Sequence, residues 1–488
     1  MTMTDTAGDF AGELFARGYV LSDSNQIRAP GHWLSTTFRD LHVRHDPRLA
    51  ANRAEARGTE LLCLGIIFDV RHPHRAPAEC VADLAVALSE SEQGFLSELA
   101  FMNGRHVLVY ARNGPCSLVT DATGMKSAYY YRREKTVISS HPELVANNGK
   151  FAESRPKMKL KFGYPGIDSH VTHCRLLTPN TKLDLSTFRV ERFWPLRKLD
   201  EIPIDTAVER AHAALSGGLD HAFRFHEPIV SVTAGLDSRT TISLLKDDQK
   251  PELFTYYRAD DVDTDRLDAD FSHQFAQESG RKVEIVAMRK WETSPDAFEA
   301  IQSRNAIFRH IRKLAWIYYQ KHATNPKALH VRSNISEVGR EFWKGKKFPV
   351  RSGIDLARIY LYGQREYLAS YVFDVIDRFD EFDRVTGLTG CAGLVDVKSL
   401  FYWEFRMASW HAGVVVESDP AFETISLFNC RHLLETLLSV PQEARRDSIV
   451  LRRLIARANP RLAEIDVNGR PFWPKVANPD PTSLVQGS

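Results

Sequence analysis

The segment Ser231-Val232-Thr233-Ala234-Gly235-Leu236-Asp237-Ser238-Arg239 gathers small residues, hydroxyls, an acid and a base into one short stretch. It begins in the apolar run Ile229-Val230-Ser231-Val232 and leads into residues at helical spacing, so it is predicted to turn from a strand into a helix. Such a turn aims unpaired backbone N–H groups and the positive end of the helix dipole at an anion. It is a seat for phosphate. Thr233 and Ser238 add hydroxyl donors, and Asp237 makes sense among phosphates if a Mg²⁺ ion lies between them. No Gly-Lys-Ser/Thr follows, so the Walker pattern is absent. An ordinary strand-to-helix turn capped by Asp or Ser would have a similar composition.

The elements that must position this turn follow from the flanking pattern. Ala207, Val208, Ala211, Ala214 and Leu215 predict an amphipathic helix over Thr206 to Phe225. Pro228 then opens the strand, and a further strand is expected at Leu253 to Tyr257, completing a βαβ unit of a parallel sheet. Beyond residue 295 the chain reads as mainly helical. Residues 1–200 read differently, as short apolar strands bounded by turn residues: Leu61–Phe68, Arg105–Tyr110, Ser117–Thr120 and Ala128–Tyr131, with a helix over Pro77 to Leu88. Leu176 to Lys198 reads as a closing hairpin. The fold class is thus α/β, with an N-terminal α+β sandwich (1–200) followed by a parallel-sheet domain with many helices (201–488).

Composition narrows the function. The chain has 488 residues, 43% hydrophobic, enough for two cores; 64 Lys and Arg against 62 Asp and Glu leave a net charge of +2. That provides no general field for nucleic acid or an acidic membrane, so neither is an expected partner. Met1 to Phe15 has no apolar signal region and Leu61–Phe68 is too short to cross a bilayer, which points to a cytoplasmic location. The six cysteines are scattered without a Cys-x-x-Cys pair, and His170-Val171-Thr172-His173-Cys174 lacks a second ligand group. The arginines of Arg445 to Arg461 alternate with Ile449, Leu451, Leu454 and Ile455, as expected of an amphipathic helix with a solvated face rather than an RNA groove.

Thr233 to Ser238 resembles the Ser-Gly-Gly-x-Asp-Ser pyrophosphate loop (PP-loop) of ATP-pyrophosphatases, with Thr233 for Ser and Ala234 for Gly. Gly104-Arg105-His106-Val107, then Asp121-Ala122-Thr123-Gly124 and Ala128-Tyr129-Tyr130, resemble the glutaminase-like half of the asparagine synthetase family. Phe422 to Arg431 is similar to that family's Glu-Ala-Arg-x-Pro-Phe-x-Asp segment, and Ser333-Asn334-Ile335-Ser336-Glu337-Val338-Gly339-Arg340 takes the place of its second acidic loop. The motifs lie in the family's order along nearly the whole chain.

This resemblance implies an N-terminal-nucleophile hydrolase-like (class II glutaminase-like) sandwich and an adenine nucleotide α-hydrolase-like synthetase domain using ATP and Mg²⁺. A carboxylate would be adenylated with release of pyrophosphate, and an amine or ammonia would displace AMP to form an amide. Ser231, Thr233, Ala234, Gly235, Leu236, Asp237, Ser238 and Arg239 are then expected at the phosphates, with Asp237 and Glu337 on the metal. Arg239 could instead face solvent or pair with an acid. Glu423 matches the family's general base, with a structural ion pair as its alternative and Glu417 as its rival; Lys475, or Arg470, could replace the family's lysine. Glutamine-hydrolysing members begin the mature chain with a cysteine, whereas the first here is Cys63 inside an apolar strand. The expectation is therefore an amide ligase or cyclase of specialised metabolism, like the β-lactam- and lasso-peptide-forming relatives, without glutaminase activity. A binding or scaffold relative, or another adenylating enzyme such as a tRNA-modifying one, is the alternative, and a homodimer is open.

Overall fold

The computed structural model describes residues 10–155, 162–258, 264–288, 293–343, 348–362 and 368–474. Among these residues, twelve strands of the N-terminal half form two six-stranded antiparallel sheets. The first contains β1 (Tyr19–Ser22), β2 (Leu34–Phe38), β3 (Leu41–His45), β8 (Tyr129–Arg132), β9 (Thr136–Ser139) and β10 (Arg175–Leu176). The second contains β4 (Ala51–Ala56), β5 (Thr59–Asp69), β6 (Met102–Arg112), β7 (Cys116–Thr120), β11 (Thr181–Asp184) and β12 (Val190–Arg192).

The alternation of side chains along a strand explains why β5 reads as one apolar run. Leu62 and Leu64 point into the layer between the sheets, with Tyr19, Leu21, Val43, Val107 and Val109. Leu61, Cys63 and Ile67 point the other way, onto Val81, Leu84 and Leu88 of the helix Pro77–Glu90. With both faces covered, no position calls for a polar residue. Burial also raises the Cys63 thiol, with Cys80 beside it.

The antiparallel sheets end at Arg192, and the helix Ile204–Phe225 leads into the second half. There β13 (Glu227–Ser231), β14 (Glu252–Arg258), β15 (Val283–Met288), β16 (Ala328–Arg332) and β17 (Glu423–Ser426) form a parallel sheet in the order β15-β14-β13-β16-β17. The chain runs outward from β13 to β15, then returns to the other side of β13 and continues to β17. Loops leaving neighbouring strands on opposite sides of such a reversal leave a crevice at the carboxyl ends, the usual ligand position in open α/β sheets. Here the crevice lies between the loops after β13 and β16.

The two halves meet where β6 passes β17. Gly65 and Gly104 hold φ of +118° and +117°, and a Cβ on either would collide with a carbonyl of the facing strand. Only glycine serves there, and the distortion sets Arg105, next to Gly104, against the second half. Among the described residues, no helix is long and apolar enough to cross a membrane.

Candidate functional site at the carboxyl ends of the parallel strands

The turn after β13 runs into the helix Leu236–Ser243, with Gly235 as N-cap. It is braced from within. Ser238 Oγ accepts from Thr233 N at 3.0 Å, lies 2.6 Å from Thr233 Oγ1 and donates to Thr233 O at 3.0 Å. Asp268 Oδ1 accepts from Ala234 N at 2.8 Å. The N-cap makes no side-chain hydrogen bond, so the first N–H groups of the helix face outward uncapped. Alanine at position 234 carries no backbone strain, since Ala234 keeps a negative φ and Gly235 sits at −74°.

The loop after β16 brings a second carboxylate to this turn. Ile335 holds φ 91°, a left-handed conformation that strongly favours glycine and is costly for a β-branched residue. Its N–H donates to Glu337 Oε2 at 2.9 Å, which pins the loop in that shape. Asp237 Oδ1 accepts from Ser336 Oγ, and Asp237 Oδ2 accepts from Arg340 Nη2 at 3.1 Å. Glu337 Oε1 lies 3.7 Å from the same Arg340 nitrogen. Burial, and then the neighbouring Asp237, push the Glu337 carboxyl up. Burial alone would lower the Arg340 guanidinium, but Asp237 and Glu337 hold it charged.

The predicted metal pair is thus brought together, but with Arg340 between its members. A guanidinium 3.1 Å from Asp237 and 3.7 Å from Glu337 takes the place of a cation between them, so this donor set as arranged does not fit a Mg²⁺ ion. Among the described residues, no group of three or more His, Cys, Asp or Glu is placed to hold a metal. His170 of the His-Val-Thr-His-Cys segment instead lies 2.8 Å from Glu143.

Arg239 needs correction, because it neither lines the phosphate seat, nor faces solvent, nor pairs with an acid side chain. It is fully buried and donates to the carbonyls of Leu462, Ile465 and Asp466 at 3.1, 2.6 and 2.8 Å, and to that of Ala234 at 3.2 Å. It therefore fastens the C-terminal segment beneath the turn. Burial, then Arg452, push its guanidinium down to about 10.

Glu423 and Glu417 lie elsewhere. Glu423 is the first residue of β17, three residues and about 10 Å before that strand's carboxyl end. It accepts from Arg105 Nη1 at 2.9 Å and lies 3.7 Å from Arg17 Nε. Asp419 accepts from Arg105 Nη2 at 2.8 Å, and buried Lys126 donates to Arg17 O at 3.0 Å. Glu417 is buried too, accepting from His310 N at 2.5 Å, Ile311 N at 3.1 Å and Arg309 Nε at 3.2 Å. The ion-pair alternative describes both glutamates. Lys475 lies outside the described residues.

Sequence reasoning missed Asp268 and the positions of Arg340 and Arg452. The arginine-rich helix Ile449–Ala458 buries Ile449, Leu451, Leu454 and Ile455 as expected, but its polar face is not wholly solvated. Arg452 lines a cavity of about 600 Å³ with Leu236, Arg340, Arg446, Asp447 and Arg470.

No protein-family model matches the chain, and no curated protein sequence matches it. Among solved structures it is similar to a glutamine phosphoribosylpyrophosphate amidotransferase from B. subtilis complexed with ADP and GMP, at 9% identity over 73% of this chain and 74% of that one, with a TM-score of 0.23. It is also similar to an allosteric regulatory enzyme of purine biosynthesis, at 10% identity over 67% and 72% of the two chains, with a TM-score of 0.24. Both likenesses are slight.

Proposed function

We propose that the chain binds the phosphates of ATP in the crevice between the β13 and β16 loops and is an AMP-forming amide ligase or cyclase. The observation that carries this is the uncapped N-terminus of Leu236–Ser243, set at the strand-order reversal of an all-parallel sheet. In the first step a substrate carboxylate oxygen attacks the α-phosphorus, the bond to the β-phosphate oxygen breaks, and pyrophosphate leaves. In the second, an amine nitrogen attacks the acyl carbon, AMP departs with the bonding electrons, and the nitrogen's proton passes to water. The chain's part in the first step is to orient the phosphates and stabilise their charge. The helix N–H groups, with Thr233 and Ser238 shaping the turn, supply that. Glu423 and Glu417, both held by cations away from the crevice, take no part in it. Asp237 and Glu337, the expected Mg²⁺ ligands, are engaged by Arg340.

A second reading, binding of nucleotide without turnover, is favoured by one feature. Arg340 already engages Asp237 and lies 3.7 Å from Glu337, the acids expected to hold the ion that turnover would use. Exchange of labelled pyrophosphate into ATP, screened over carboxylic acids, separates the two. Exchange that appears with one acid class is the result expected of a ligase. ATP binding with no exchange for any acid favours the second reading.

A further inference from the structure

The cavity beside the turn is lined by four arginines and one acid, Asp447. Two of the four, Arg452 and Arg470, make no ion pair among the described residues. Arg446 pairs with Glu341 at 3.0 Å, and Arg340 is shared between Asp237 and Glu337. Arg452 Nε donates to the backbone oxygen of Asp447 at 2.8 Å, while its Nη1 is buried without a hydrogen-bond partner, as is Arg340 Nε. Arg470 lies on the exposed rim of the cavity. Burial pushes the Arg452 guanidinium down, and although Asp447 opposes this, Arg340 adds to it; Arg239 feels Arg452 in the same way. Guanidinium groups close enough to disfavour one another, around an open space, are stable together when an anion occupies that space. Leu236, the first residue of the turn's helix, lies in the same wall, which sets the arginines beside the start of that helix.

We infer that the cavity binds a diphosphate group without a metal, with Arg340, Arg452 and Arg470 supplying positive charge in place of Mg²⁺, since Arg340 already pairs with Asp237 and Glu337. The inference rests on the nucleotide reading of the turn for its location. The ligand class is a diphosphate, either inorganic pyrophosphate or the terminal phosphates of a nucleotide. A planar guanidinium fork suits phosphate oxygens, and more than one fork can engage a diphosphate at once. A metal-dependent site would behave differently, because chelation would empty it.

Titration calorimetry of the full chain with inorganic pyrophosphate and with ATP, in EDTA and in Mg²⁺, tests this. Pyrophosphate is expected to bind in EDTA with an affinity within threefold of that in Mg²⁺. Arg452→Ala and Arg470→Ala are each expected to weaken it at least tenfold. Arg470 is exposed, so its substitution leaves the fold in place if Arg452→Ala does not; unchanged circular dichroism and melting temperature check both. Binding that requires Mg²⁺ overturns the inference while leaving the nucleotide reading standing. Metal-free binding indifferent to both substitutions also overturns it. Failure of pyrophosphate and ATP to bind under either condition removes both. Conversely, metal-free binding lost in the two variants, with no ATP–pyrophosphate exchange for any acid, keeps the inference and removes the ligase.

Discussion

Around Arg105, at the amino end of β17, three cations and two carboxylates are shut away from water: Arg17, Arg105, Lys126, Asp419 and Glu423 are all buried. Around Arg340, past the carboxyl ends of β13 and β16, the charged groups are partly exposed and border a cavity. The first group joins residues more than 300 positions apart and locks the two halves together. The second joins loops of one sheet and reaches the cavity through Arg340, beside Arg452 and Arg470, which make no ion pair among the described residues. A closed network with its strong acceptors filled serves as an interdomain joint. An open one that sets arginines on a cavity is where a ligand belongs.

Breaking the closed group should have the largest effect. Arg105→Met leaves Asp419 and Glu423 buried without their main partner, and a loss of about 3–5 kcal/mol is expected in urea denaturation. Adding Asp419→Asn and Glu423→Gln should recover a large part, since the uncompensated charges are then gone. No loss in the single variant would show that the joint does not hold the halves together.

Acid should act on the same region next. Burial, then Lys126 and Arg105, push His141 down to about 3, and burial holds His330 and His411 well below the usual imidazole value. These rings stay neutral in the fold but protonate in the unfolded chain near pH 6.5. Their contribution is therefore complete above that value and is lost as pH falls towards their folded values. Going from pH 7 to 6 should cost about 0.7 kcal/mol for each ring, roughly 2 kcal/mol for the three, read as a falling urea midpoint. A midpoint flat over that range contradicts their burial as neutral groups.

The open group should respond in the opposite direction. Glu337, pushed up by burial and Asp237, costs the fold when it is charged, and the cost is relieved as pH falls through its raised value. Glu337→Gln keeps an acceptor for Ile335 N and should raise stability at neutral pH, measured as a higher melting temperature. A loss instead would mean that the pairing with Arg340 outweighs the desolvation.

Most of what lies along one stretch of chain was legible in the sequence. The strands at Leu61–Phe68 and Arg105–Tyr110, the Pro77 helix and the β13 turn all carry their signal in local apolar spacing bounded by turn residues. What joins distant stretches was not. That Glu423 meets Arg105, Arg340 meets Asp237, and Arg239 meets the carbonyls near residue 465 depends on packing that no short window contains. Arg452 shows the same limit, because its helix was evident but not the side from which a second element would enclose its polar face. Likewise, the helical C-terminal half was evident while the wider winding of Tyr402–His411 was not. The closed joint was therefore invisible and the open turn visible, since only the turn is built from consecutive residues.

The most direct test of the central claim is a crystal structure of the full chain grown with saturating ATP. Phosphate density should lie against the N-terminus of Leu236–Ser243, between the β13 and β16 loops and facing Arg340 and Arg452. A nucleotide ordered elsewhere on the molecule with that crevice empty would contradict it.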